Sequence, residues 1–180
     1  EIDEELQDIM GINVVGSLGI STFFGLDAKN YKPYKTLWNQ EVLVPEMFNT
    51  TRGSDGCEYI YPQGNLSVGP SGIMPSSGYF FDAIIRQEPI DDAKIDPNDN
   101  LEEFGLLTDS DIAKYKIIVD DLGKQNKGII LNIGGSGLGD IAVIPGTGLL
   151  HPKGIRDVAE WYMSTVIRAD YIHTVFDKQT

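Results

Sequence analysis

The sequence predicts an α/β fold with an inserted antiparallel β-meander. Two segments in which a helical pattern leads into a run of β-branched residues predict helix-then-strand units, the usual layers of an α/β protein. One lies at the N-terminus and the other spans residues 108–133. Between them, residues 41–86 contain three extended stretches separated by turn residues, which is typical of an antiparallel meander.

The N-terminal unit begins with a short acidic helix. Leu6, Ile9 and Met10 recur at helical spacing within residues 3–10, and Gly11 stands where a helix C-terminal cap is expected. Residues 13–18 follow, and their apolar, β-branched run without polar alternation predicts a buried strand.

The predicted meander consists of strands at residues 41–48, 57–61 and 79–85. Asp55-Gly56 lies between the first two strands and is a strong hairpin-turn signal. Residues 64–78 contain two prolines and four glycines, which predict a long surface loop that is either functional or mobile. The acidic residues 89–100 predict a connector.

The C-terminal part predicts helices on either side of a strand. Residues 108–122 begin with N-cap candidates such as Thr108 and carry apolar residues at helical spacing. Residues 128–133 predict a second buried strand, which runs directly into a glycine-rich segment, residues 134–140. Residues 154–178 predict a helix that bends near Arg168, with Trp161 and Tyr162 in the core.

The composition restricts the class of partner. The chain has 180 residues, 14 basic and 27 acidic, and a net charge of −13, which disfavours binding to nucleic acid or to an anionic membrane. The N-terminus lacks a secretory signal pattern, and no apolar run approaches the roughly 20 residues that cross a bilayer. A single cysteine, Cys57, forms no intramolecular disulfide and fits a reducing compartment. We therefore expect a soluble, cytoplasmic protein, and the missing initiator Met predicts a piece of a longer chain.

The glycine-rich segment is the sharpest chemical signal. Small residues after a strand let a ligand approach the backbone and leave N–H groups free for anions. The spacing misses the G-x-G-x-x-G dinucleotide fingerprint, because position 140 is Asp140. A ligand-free loop remains an alternative. Asp140 is either a helix N-cap or a site residue, and Asn132 is either a hydrogen-bonded core residue or a ligand contact.

Other catalytic patterns receive no support from the sequence. His151 and His173 have no partner at metal-ligand spacing and are interpreted as structural, so no metal site is predicted. The G-x-S-x-G nucleophile elbow does not occur. The carboxylates at residues 91–92 and 96–99 are interpreted as solvated charges of the connector.

The order of these pieces resembles the uroporphyrinogen decarboxylase (URO-D) superfamily, and most closely its bacterial members that are similar to corrinoid-linked methyltransferases. The resemblance covers nearly the whole chain and rests on the collinear stretches INVVG, GYFFDAIIRQEPID, DPNDNLEEF, GIILNIGGSGLGDIAVIPG and HPKGIRDVAEWYMSTVIRADYIHTVFDKQ. It implies a TIM barrel with its site at the C-terminal ends of the strands.

A complete barrel takes roughly 250 residues, so the resemblance implies a partial TIM (β/α)8 barrel fragment. Residues 1–180 would form one fragment of a URO-D-like domain, with residues 41–86 as the meander insertion and residues 101–180 as a helix-strand-helix barrel segment. The barrel strands would be residues 13–18 and 128–133. We expect the enzyme to act as part of a longer chain and the fragment alone to be inactive.

The resemblance also assigns candidate site residues. It matches Gly134, Gly135, Ser136 and Gly137 to the family segment that faces the bound tetrapyrrole or methyl donor, with Asn132 and Asp140 flanking it. The decarboxylases' arginine-rich N-terminal segment and the methyltransferases' His-x-Cys zinc ligands do not occur here. The catalytic residues stay unassigned, and candidate zinc ligands would lie outside the chain.

The charge favours one reaction of the family. A decarboxylase acting on a polyanionic tetrapyrrole needs several cations, and this chain offers only Arg86, Arg156 and scattered lysines near its loops. We therefore expect corrinoid-dependent methyl transfer, with a corrinoid (cobalamin) bound by the full-length protein and none by this fragment. The alternative is a uroporphyrinogen decarboxylase of tetrapyrrole (porphyrin, heme) biosynthesis.

A third hypothesis is that the chain is a non-catalytic docking module for a partner such as a corrinoid protein. The apolar residues Ile73 and Met74 within residues 64–78 are its docking candidates. A partial barrel also exposes strand edges, which predicts strand pairing between copies and a homo-oligomer.

Overall fold

The computed structural model describes residues 4–17, 19–133, 140 and 142–178. It is a mixed α/β protein with small sheets, and the described residues contain no closed barrel. The chain forms two compact units, Glu1–Ile20 with Leu106–Gly134 and Ser21–Gly105 with Gly135–Thr180. In chain order the α-helices and β-strands are α1 (Glu4–Ile9), β1 (Val14–Gly16), β2 (Lys32–Lys35), β3 (Glu41–Val44), β4 (Thr50–Arg52), β5 (Glu58–Ile60), β6 (Gly72–Met74), β7 (Asp82–Ala83), α2 (Asp109–Leu122), β8 (Gly128–Ile130), α3 (Val158–Ile167) and α4 (Ala169–Asp177). Short 3-10 helices lie at Pro62–Gly64, Pro97–Leu101 and Gly123–Gln125.

The first unit contains a parallel β-α-β crossover. Strands β1 and β8 are parallel neighbours, with Val15 opposite Ile129, and α2 lies between them in the chain. Parallel neighbours require such a crossover connection, so residues 21–105 stand as an insertion between the first strand and its helix. The helix-strand pattern predicted for both ends of this unit is thereby confirmed.

Local sequence signals set the ends of both helices in this unit. Gly11 has φ +69°, the left-handed conformation that glycine adopts readily after a helix. Thr108 caps α2 in a reciprocal capping box with Asp111. Lys127, just before β8, contacts Asp8 Oδ1 at 2.9 Å and Gln7 Oε1 at 3.1 Å, which ties α1 to the start of the strand.

The prediction that both parallel strands are buried is wrong. Val15 is buried, but Val14 is 49% and Ile130 is 65% exposed. The apolar face of α1 is also exposed, with Ile9 at 76%. The reason is geometric, because side chains stand on the faces of a sheet, and neither α1 nor α2 covers the faces of this two-stranded sheet at these positions.

The second unit contains an antiparallel meander as predicted, but the predicted strand at residues 41–48 is not part of it, because β3 pairs with β2 instead. Strands β4, β5, β6 and β7 form a four-stranded antiparallel sheet in chain order, and β2 pairs with β3 as a separate hairpin. Asp55-Gly56 forms a hairpin turn as predicted, with the Gly53 N–H donating to the Cys57 carbonyl oxygen at 2.9 Å. The strand that it joins to β5 is β4, however, and not the predicted strand at residues 41–48.

The prediction of one long surface loop over residues 64–78 is wrong, because β6 lies within it. Ile73 pairs with Tyr59 on one side and with Asp82 on the other. Gly72 has no room for a side chain, since a Cβ atom there would clash with the Phe24 ring. Glycine in this strand allows close packing rather than ending the element.

A buried carboxylate connects the β2–β3 hairpin to the meander. Glu58 is 5% exposed, and its Oε1 accepts hydrogen bonds from the Tyr34 hydroxyl and from Thr50 Oγ1. Tyr34 also packs edge-on against Phe48, with ring centroids 5.0 Å apart, and Phe48 packs against Phe81. Burial, followed by the bond to Glu58, raises the pKa of Tyr34 to about 12.

The C-terminal helices supply the core of the second unit. The bend predicted near Arg168 is confirmed, because α3 ends at Ile167 and α4 begins at Ala169. Tyr162 is 58% exposed, so its predicted core position is wrong, whereas Trp161 is buried as predicted. The core cluster consists of Ile144, Ile155, Trp161, Tyr171, Ile172 and Val175.

Replacing Gly64 with alanine is expected to destabilise the protein more than the same change at Gly56. Both glycines have positive φ, so both changes carry a backbone cost of about 1–2 kcal/mol. A Cβ at Gly64 would also clash with the Met47 carbonyl oxygen, whereas at Gly56 its nearest neighbour is the Ser76 Cβ at 3.6 Å. We expect Gly64→Ala to cost about 1–3 kcal/mol more in urea unfolding. Equal losses would show that the backbone near Met47 yields freely.

Candidate functional site

The C-terminal ends of β1 and β8 lie side by side. The Ser17 N–H donates to the Ile130 carbonyl oxygen at 2.9 Å, one residue beyond the paired strands. In α/β proteins, ligand-binding loops leave the sheet at this edge. Asn132 lies two residues beyond the end of β8 and is exposed. Its exposure shows that the interpretation as a core polar residue is wrong, and the ligand contact stays a prediction.

Asp140 lies at the other end of the glycine-rich segment, and its hydrogen bonds are local. It is exposed, its Oδ1 accepts the Ala142 N–H at 2.9 Å, and its carbonyl oxygen accepts the Val143 N–H at 3.0 Å. The side chain therefore caps a turn, as Asp does at turn starts, and not a helix. The candidates Gly134, Gly135, Ser136 and Gly137 lie outside the described residues.

The segment that follows Asp140, residues 144–150, is anchored by hydrogen bonds and is called the anchored segment below. Thr147 Oγ1 donates to the Phe23 carbonyl oxygen at 2.6 Å, and Gln63 Nε2 donates to the Gly148 carbonyl oxygen at 3.0 Å. Arg86 donates to the carbonyl oxygens of residues 146 and 150, at 2.8 and 3.3 Å. Three separate side chains thus fix the backbone next to the candidate site residue Asp140.

Arg156 is the centre of a buried polar cluster just after the anchored segment. It is 1% exposed, and its Nη1 contacts Glu103 Oε2 at 2.7 Å. Its Nη2 donates to the Asp99 carbonyl oxygen at 2.6 Å, and its Nε donates to the Lys153 carbonyl oxygen. Burial raises the pKa of Glu103, and the charge of Arg156 opposes that shift.

Sequence reasoning missed this cluster. Gln87 Oε1 accepts the backbone N–H groups of Arg156 and Asp157, which fixes the start of α3. These residues lie in loops, where an exposed polar side chain is the ordinary expectation. The arginine, its carboxylate partner and the glutamine are far apart in the chain, so no local pattern marks them.

Arg86 and Arg156 are the two arginines that the sequence predicts near the loops, and both bond oxygens of the protein itself. Both Nη groups of Arg86 donate to backbone carbonyl oxygens, and burial lowers the pKa of its guanidinium. All three nitrogens of the Arg156 guanidinium donate to protein oxygens. Both side chains therefore stabilise the fold, and neither presents its full set of donors to a ligand.

A second buried network joins α4 to the connector. Asn100 is 4% exposed, its Nδ2 donates to the Ile155 carbonyl oxygen at 2.8 Å, and its Oδ1 accepts the Ile155 N–H at 2.8 Å. The Tyr171 hydroxyl donates to the same Oδ1 at 2.6 Å. Burial raises the pKa of Tyr171 to about 12. The Asn100 side chain thus bonds both the backbone N–H and the backbone carbonyl oxygen of Ile155.

Stability should fall as the pH rises from about 10 to about 12, and Tyr171→Phe should make that fall shallower. Tyrosine has an ordinary pKa of about 10. The unfolded chain therefore releases the Tyr171 proton before the folded protein does, which favours unfolding in this window. Free energies of unfolding at several alkaline pH values test this, with the exposed Tyr162→Phe as control. The same slope in wild type and Tyr171→Phe would contradict the prediction.

The predicted docking residues do not form an exposed pair. Met74 is 2% exposed in β6, so its assignment to a docking surface is wrong, while Ile73 is half-buried. The alternation follows from the strand, because neighbouring side chains point to opposite faces of a sheet. Leu66, 57% exposed, lies in the part of residues 64–78 that precedes the strand.

The described residues hold no group of three or more His, Cys, Asp and Glu side chains placed to bind a metal ion. Within the same part of the chain, no helix combines the length and apolar character that a membrane span requires.

Comparison with known proteins finds no matching family model, no similar curated protein and no similar solved structure.

Proposed function

We propose that the chain is part of a URO-D superfamily enzyme that catalyses corrinoid-dependent methyl transfer. The observation that carries the proposal is the parallel β1–α2–β8 crossover, whose adjacent strand ends lead into the glycine-rich segment. A TIM barrel repeats this unit and binds its ligand at the C-terminal ends of the strands. In this proposal β1 and β8 are neighbouring barrel strands, and residues 21–105 are the insertion between them.

Three arginines already bond other groups of the protein, and this favours methyl transfer over decarboxylation. A porphyrinogen carries several carboxylates, and an enzyme that binds it needs cations with free donors. Arg86 and Arg156 already bond protein oxygens, and Arg168 pairs with Asp92 and Glu160. The periphery of a corrinoid instead carries uncharged amides, which backbone groups and neutral side chains can bind.

The residues at the strand ends fit such a ligand. Asn132 is an exposed amide with both donor and acceptor capacity. The glycines that follow it in the sequence would let a large planar ligand approach the backbone closely. When bound, a corrinoid supplies the cobalt to which a methyl group is transferred. In this proposal Asn132 orients the ligand.

A binding titration tests the proposal. Full-length protein is titrated with cobalamin and with uroporphyrin and followed by absorbance, and the titration is repeated with Gly135→Val and Asn132→Ala. We expect saturable cobalamin binding that Gly135→Val weakens at least about tenfold, a loss of about 1.4 kcal/mol. Gly69→Val is the matched control, because a Cβ at Gly69 meets nothing within 4 Å.

The outcomes separate the candidate functions. Cobalamin binding that weakens with Gly135→Val and not with Gly69→Val supports a corrinoid at the strand ends. Preference for uroporphyrin, lost with the same variant, would replace methyl transfer by the decarboxylase. Binding of neither compound would overturn the tetrapyrrole assignment. Equal weakening of binding by both valine variants would show that the binding site does not lie at residues 134–137.

A further inference from the structure

We draw no further inference here: the strongest candidate, the stripe of exposed apolar side chains along one face of α3 formed by Tyr162, Met163, Val166 and Ile167, carries no proposal because nothing in the structure shows what covers it.

Discussion

Replacing Arg156 with alanine is expected to lower the free energy of unfolding by about 2–5 kcal/mol, because carbonyl oxygens that bond the buried guanidinium lose their donors at about 1–3 kcal/mol each. The guanidinium is 1% exposed and contacts Glu103 at 2.7 Å. Its loss leaves the Glu103 carboxylate, whose side chain is 25% exposed, without its cation. It also leaves the carbonyl oxygens of Asp99 and Lys153 without the donors they have in the native protein. Urea unfolding followed by Trp fluorescence measures the loss.

The matched control for this prediction is Arg52→Ala. Arg52 lies in β4 and is exposed, so its removal should change stability by no more than about 0.5 kcal/mol. A second variant, Glu103→Gln, keeps an oxygen acceptor for the guanidinium and should cost less than Arg156→Ala. A loss below about 1 kcal/mol for Arg156→Ala would show that water replaces the guanidinium, and the cluster would then not stabilise the fold.

Replacing Met74 with alanine should destabilise the protein by about 2–5 kcal/mol, the range for truncating a fully buried large apolar side chain. Met74 is 2% exposed and lies in an inner strand of the four-stranded sheet. It shares the buried face with Glu58 and Ile60, so the truncation leaves a cavity between the sheet and the side chains that cover it. Equilibrium unfolding in urea again measures the change.

Leu66→Ala is the control, because Leu66 is also apolar but is 57% exposed. Its truncation should cost well under half as much as that of Met74. If both variants kept wild-type stability and Met74→Ala weakened binding of a partner protein, Met74 would be a surface residue and the strand assignment would fail. Loss of stability at Met74 alone supports its place in the core.

Several elements of the fold follow from local sequence. The capping box of Thr108 and Asp111, Gly11 after α1 and the Asp55-Gly56 turn all act through neighbours within a few residues. Their effect depends on backbone conformation and on short hydrogen bonds. The helix bend at Arg168 is likewise local. These boundaries could therefore be predicted before the structure was known.

The exposed faces and the inner strand could not be predicted in this way. Glycines and prolines around β6 resemble loop residues, and only the close approach of Phe24 to Gly72 explains why glycine occurs inside a strand. The apolar runs of β1 and β8 indicated burial, but burial depends on how many layers cover a sheet. Ile130 is 65% exposed because the two-stranded sheet leaves it uncovered.

For the candidate site, the sequence determined the residue types and their order: an amide after a strand, a glycine-rich segment and a carboxylate. Tertiary structure decided which strand ends are neighbours, and it showed that Asp140 caps a turn. It also decided that Arg86 and Arg156 bond protein oxygens that are distant in the chain. The physical reason is that a charged side chain has the same sequence signature whether it binds a ligand or the fold, and only the position of its partners separates the two.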